Sequence, residues 1–212
     1  MSLWKVGVEP LIVPAIIAQG QGELESMLGR LRGKVERVML DVMDGEFVDN
    51  TSLDFDFELL EGFEYEAHLM VVNPLERIGG LAGKVDFIIL HMETLEDVVV
   101  AIECVKNLEL KVVLALNPET GVDKVEPYLG EVDGVLVMTV APGRYGGRFL
   151  PETLAKCSRI REMQGTIPIE VDGGMNPENA RAAREAGANI IASGSFIMKS
   201  EDIAHSLRLL AG

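Results

Sequence analysis

The chain has only two cysteines and one tryptophan among its 212 residues, and aromatics make up just 5%. So few cysteines exclude a disulfide scaffold. Cys104 and Cys157 both fall in helix-like stretches, where reduced and mostly buried thiols are expected. No stretch reaches the roughly eighteen uninterrupted apolar residues of a membrane span. Positive charge is also short. Nineteen Lys and Arg against 34 Asp and Glu give a net charge of −15, which argues against a nucleic-acid backbone as partner. A small phosphorylated ligand is still admitted, because backbone N–H groups bind phosphate without a basic surface. The first ten residues lack the charged-then-apolar layout of a secretory signal. The expectation is a cytoplasmic protein with neither nucleic-acid nor membrane partners.

No linker-like composition divides the chain, and 48% hydrophobic residues imply a sizeable core, so residues 1–212 are expected to form one domain. Eight short apolar runs alternate with longer amphipathic stretches. They are Leu11–Ile17, Val35–Asp41, Glu64–Met70, Val85–His91, Leu110–Asn117, Val132–Val140, Thr166–Asp172 and Asn189–Gly194. The runs are continuous rather than alternating, as parallel strands covered on both faces should be. Helices are expected near 22–33, 74–83, 95–107, 121–129, 150–164, 176–187 and 199–211. Asn73 before Pro74 and Asn176 before Pro177 read as helix starts, and Gly187 as a helix end. The connection over 51–61 is the weakest, alternating like a strand before Glu58-Leu59-Leu60 turns helical. Eight such units in this length predict an α/β fold of the (β/α)8 TIM-barrel type. An open doubly wound sheet would carry a Gly-rich fingerprint after its first strand, and Ala18-Gln19-Gly20-Gln21-Gly22 does not match it.

Polar residues gather where the runs end, the face on which barrels build active sites. Asp41 and Asp172 each close an apolar run and are followed closely by glycine. A carboxylate there is costly to desolvate and calls for a partner or a task. The second and seventh strands stand three steps apart around an eight-strand ring, so these acids would face each other across the mouth. That suits removal of a proton from one face of a carbon and delivery to the other. His68 could ligate a metal or polarise a carbonyl. His91 and Glu93 read either as further ligands or as a hydrogen-bonded pair supporting the fourth strand end. Asp44 reads as a turn cap, and His205 as a surface residue of the last helix. Gly173-Gly174 and Gly194-Ser195 follow the last two strands and could hold a phosphate, or simply make tight turns. Gly146-Gly147 could close over a ligand. Met43, Met70 and Met138 could cap a substrate or fill the core.

The residues then resemble a known family, the ribulose-phosphate 3-epimerases. The match runs nearly end to end: LDVMDGEFVDN (40–50), HLMVVNP (68–74), LALNPET (114–120), VMTVAPG (137–143), IEVDGG (169–174) and ASGSFI (192–197). The resemblance implies a barrel of the ribulose-phosphate-binding type that interconverts ribulose 5-phosphate and xylulose 5-phosphate. It implies a divalent metal (Zn, Fe or Mn) on Asp41, His68 and Asp172, with the two Asp as the acid–base pair. Gly174, Gly194 and Ser195 would bind phosphate, the three Met would form the cap, and the chain would be a homo-oligomer. Three places depart from the pattern. Met39 stands where the family carries its first metal-binding His, and Ala15 where it carries a strand-one Ser. Gly143-Arg144-Tyr145-Gly146-Gly147-Arg148 replaces a Gly-Phe-Gly-Gly-Gln loop. A thioether is a poor ligand in an oxygen- and nitrogen-rich site, yet three protein ligands plus water make a workable catalytic zinc set. These departures leave open a six-carbon ketose phosphate as substrate, or a sugar-phosphate binder without turnover.

Overall fold

The computed structural model describes residues 9–143 and 145–212. The start of the chain through Val8, and Arg144 of the altered loop, lie outside the described residues. Eight parallel strands form the wall: β1 (Leu11–Ile16), β2 (Arg37–Asp44), β4 (Glu64–Met70), β5 (Phe87–His91), β6 (Lys111–Leu116), β7 (Gly134–Met138), β8 (Ile169–Asp172) and β9 (Ile190–Ser193). A two-residue strand, β3 (Thr51–Ser52), pairs antiparallel with the end of β2. The ring closes because β1 pairs with both β9 and β2. The expected barrel is therefore present.

The continuous apolar runs have a simple cause: each strand buries both faces. Val38, Leu40 and Val42 of β2 join the outer core beneath the helices, whereas Met39 lies in the cluster that fills the barrel. That interior packs Val13, Ala15, Met39, Ile89, Leu136 and Met138, among others, so the barrel is a filled core and not a pore. The outer layer is supplied by α1 (Gln21–Leu31), α2 (Pro74–Leu81), α3 (Val98–Lys106), α4 (Leu154–Met163), α5 (Pro177–Glu185), the short α6 (Ser195–Met198) and α7 (Ile203–Ala211). Leu24, Leu28, Ile102 and Val105 are essentially fully buried against the wall. Each such side chain contributes about 1.5–3 kcal/mol of burial free energy.

Several boundaries differ from the sequence reading. The helix expected over 121–129 is two single 3₁₀ turns, Val122–Lys124 and Glu126–Tyr128. Pro127 removes the N–H that a longer helix would need there. No helix forms at 58–60. Residues beyond β3 run irregularly, with Leu53 and Phe57 doing the burying. β2 continues past Asp41 to Asp44 because β3 pairs with its last residues, Met43 with Ser52 and Asp44 with Thr51. β8 begins only at Ile169, since Pro168 cannot donate into a ladder. Asn176 does cap α5, its Oδ1 accepting the Asn179 N–H, and Gly187 closes that helix at φ 107°. Asn73 makes no such side-chain bond. Cys157 is buried as expected, but Cys104 is exposed on α3. Among the described residues no helix is long and apolar enough to cross a membrane.

Candidate active site

Asp41 and His68 meet because β2 and β4 pair in register at those two residues. Asp172 arrives from β8, three strands away around the ring. His68 Nδ1 lies 3.3 Å from Asp41 Oδ1 and 3.8 Å from Asp172 Oδ2. His68 is fully buried and Asp41 almost so. Burial pushes the Asp41 carboxyl up to about 8. Burial, and then the neighbouring Asp41, push Asp172 up to about 7, with His68 opposing. Burial holds the His68 imidazole neutral, down at about 4. Two carboxyls crowded this closely resist ionising together.

A small cleft opens above this cluster. Asp41 and Asp172 line it together with Met70, Met138, Gly146, Gly173, Gly174, Gly194 and Ser195. Of the other sequence candidates, Met43 packs against Met70 and Val48 outside the lining, and Gly147 sits against Val140. Gly173 and Gly174 adopt φ 113° and 66°, a left-handed turn that favours glycine. A Cβ on Gly173 would stand 2.3 Å from a Val140 methyl, so the close approach also requires glycine there.

His91 and Glu93 join the site from behind. His91 Nε2 lies 2.8 Å from His68 Nε2, and His91 Nδ1 lies 3.3 Å from Glu93 Oε2. Of the two readings left open, the structure supports the hydrogen-bonded pair: His91 reaches His68, while the grouped ligand atoms are those of Asp41, His68 and Asp172. Asp44 is a turn cap, as expected. Its carboxylate accepts from the N–H groups of Glu46, Phe47 and Val72. Burial raises its pKa, but those three donors outweigh it and the net shift is downward. His205 is exposed on α7.

A family model described as the ribulose-phosphate 3-epimerase family matches residues 8–198. The chain belongs to the ribulose-phosphate 3-epimerase family. It is 33% identical to a ribulose-phosphate 3-epimerase of Schizosaccharomyces pombe over 95% of this chain and 93% of that one. It is 30% identical to one of Bacillus subtilis over 98% and 99%. Among solved structures it is similar to 3-hexulose-6-phosphate synthase from Salmonella typhimurium, with a TM-score of 0.67 and 16% identity over 95% and 96% of the two chains. That last likeness shows the barrel fold alone.

The donor atoms of Asp41, His68 and Asp172 all lie within 4.8 Å of one another. Zinc–ligand bonds of about 2.0–2.2 Å at a tetrahedral centre span ligand–ligand separations of roughly 3.4 Å. The 3.3 and 3.8 Å from His68 Nδ1 to the two carboxylates are close to that. Two carboxylates and a neutral imidazole, gathered where anions are costly, fit a divalent cation such as zinc, iron or manganese. Met39 is not part of the set, being fully buried in the interior cluster with Ala15, Ile89 and Met138.

Sequence reasoning missed Tyr145. Its hydroxyl donates to the Ala15 carbonyl at 2.7 Å and accepts from the Ile17 N–H at 3.0 Å. Its ring lies so close over Gly194 that a Cβ there would stand 2.1 Å from it. A partner 130 residues away leaves no local signal. The one available clue was an aromatic between the two glycines Gly143 and Gly146.

Proposed function

We propose that this chain interconverts ribulose 5-phosphate and xylulose 5-phosphate by proton transfer at C3, with Asp41 and Asp172 as the acid–base pair. The observation that carries this reading is the convergence of two aspartates, one buried and one partly buried, on one imidazole nitrogen, 3.3 and 3.8 Å away, from strands three steps apart. One acid takes the C3 proton from one face of the sugar, leaving an enediolate. The other returns a proton to the opposite face, which inverts the centre. Raised carboxyl pKa values suit this work, since one acid must begin protonated and the other ionised. A divalent cation held by Asp41, His68 and Asp172 would supply Lewis-acid stabilisation of the negative charge on the substrate oxygens. The backbone of Gly173-Gly174 and Gly194-Ser195 supports phosphate binding at the rim, where turn amides can point at an anion. Met70 and Met138 supply the apolar wall.

The reading takes residues 1–212 as one domain of a cytoplasmic homo-oligomer. Exposed apolar residues beside the mouth, Val72, Leu75 and Val100, support association with another copy. The functional test is exchange at C3 of D-ribulose 5-phosphate in D₂O, followed by NMR. Deuterium at C3 with xylulose 5-phosphate appearing is the expected result. No exchange with zinc, iron or manganese supplied would overturn the reading.

A further inference from the structure

We propose that Glu93, acting through His91, sets which ring nitrogen of His68 carries the proton and so presents His68 Nδ1 as a lone pair to Asp41 and Asp172. Both roles are positioning roles, because neither residue is in the group of candidate ligands.

The geometry is a chain of three groups with a single consistent polarity. His68 and His91 lie nearly parallel, at 15°, with their Nε2 atoms 2.8 Å apart. Both are fully buried, and two Nε2 atoms 2.8 Å apart leave room for one hydrogen between them. A neutral imidazole has one donor and one acceptor nitrogen. One Nε2 must therefore donate to the other, and two arrangements are available.

Glu93 selects between them. Its Oε2 faces His91 Nδ1 at 3.3 Å, while its Oε1 accepts the Asn117 N–H at 3.0 Å and the Thr120 hydroxyl. Burial raises the Glu93 pKa, but His91, Thr120 and Asn117 outweigh it and hold the carboxyl at about 2. An ionised carboxylate only accepts, so His91 Nδ1 must carry the hydrogen. His91 Nε2 is then a lone pair, and His68 Nε2–H donates to it. His68 Nδ1 is left as an acceptor, facing the two aspartates. Both chain ends face a carboxyl at 3.3 Å, but Glu93 accepts two further hydrogen bonds that favour its ionised form. Among the described residues the Asp41 carboxyl, by contrast, has this histidine, His68, as its one hydrogen-bond partner and can itself donate to His68 Nδ1. The Asn117 amide oxygen sits near His91 without an ordinary hydrogen bond of its own, and as an acceptor it favours the same tautomer. Phe47 packs against the His91 ring at 4.9 Å and holds it in place.

Glu93→Gln inverts the logic. The amide oxygen must stay on the Asn117 N–H, so the NH₂ turns to His91 Nδ1. His91 then protonates at Nε2 and His68 at Nδ1, which aims an N–H at the place a cation would occupy. Loss of an orienting partner of this kind costs about 10–100-fold in metal affinity.

The inference rests on reading Asp41, His68 and Asp172 as the cation-binding set, so the experiment reads the relay without metal. Long-range ¹H–¹⁵N correlation spectra of the metal-free protein report which nitrogen of each histidine is protonated. The expected result is His68 Nε2–H and His91 Nδ1–H in the wild type, with both inverted in Glu93→Gln. Zinc affinity, measured by competition with a chromogenic chelator, should fall by about 10–100-fold in the variant. His68 protonated at Nδ1 in the wild type would overturn the relay, whatever the folding of the variant. An inverted His68 with unchanged zinc affinity would overturn the positioning role. A wild type with the expected tautomers but no C3 exchange would leave the relay standing and remove only the epimerase reading.

Discussion

Replacing Glu66 by Gln should make the protein more stable, and only above mildly acidic pH. Glu66 and Glu170 project from β4 and β8 into the barrel, each two residues before a site residue, His68 and Asp172. They are 1% and 2% exposed and hydrogen-bond to each other. Burial pushes Glu66 from 4.5 to about 7, with Arg37 opposing from 3.7 Å. Burial, and then Glu66, push Glu170 well above its usual range. A carboxyl whose pKa is raised on folding keeps a proton that the unfolded chain has released. Its stability contribution is therefore largest below about 4.5 and is lost as pH climbs through 7. At 1.36 kcal/mol per pH unit, the rise to about 7 corresponds to about 3 kcal/mol. Gln keeps the shape and a hydrogen bond to Glu170 but cannot ionise. Urea unfolding followed by circular dichroism at several pH values should give matching free energies near pH 4.5. By pH 8 the Glu66→Gln protein should be ahead by about 3 kcal/mol. Parallel stability curves for the two proteins would refute the reasoning.

Other perturbations address the site. Asp41→Asn and Asp172→Asn should each slow deuterium incorporation at C3 by about 10²–10⁴-fold, with substrate KM changed far less. Met39→His would place an imidazole inside the barrel beside Asp41 and should tighten zinc binding about tenfold or more by calorimetry. An unchanged Kd would mean that side chain 39 does not reach the cation. Gly174→Ala puts a Cβ at φ 66°, 3.0 Å from Phe149. It should cost about 1–3 kcal/mol of stability, seen in urea unfolding, and should raise KM for the phosphorylated sugar more than it lowers kcat.

Much of the barrel was legible because burial on both faces leaves a local trace. Continuous apolar runs such as Ile88-Ile89-Leu90 mark a strand wherever it sits. Asn176 before Pro177, and Gly187 ten residues on, mark helix ends by chemistry confined to a turn. Reading failed where a local preference lost to its surroundings. Residues 121–129 have a helical composition but carry Pro127. The stretch beyond β3 buries Leu53 and Phe57 without regular structure, so periodicity could not describe it.

The site divides the same way. Carboxylates and glycines in apolar settings, at 41, 172, 173 and 194, are conspicuous from sequence because such residues are costly or unusual there. Which of them meet is another matter. Asp41 touches His68 through the pairing of β2 with β4, and Asp172 joins them only because the ring closes. His91 turns toward His68, Tyr145 crosses the mouth to Ile17, and Glu66 finds Glu170 under the same control. The sequence by itself determined the strands, their order and the chemical groups near their ends, since each depends on a few neighbouring residues. The tertiary structure decided the partners, because register and closure set distances between residues tens to more than a hundred positions apart, where no local pattern reaches.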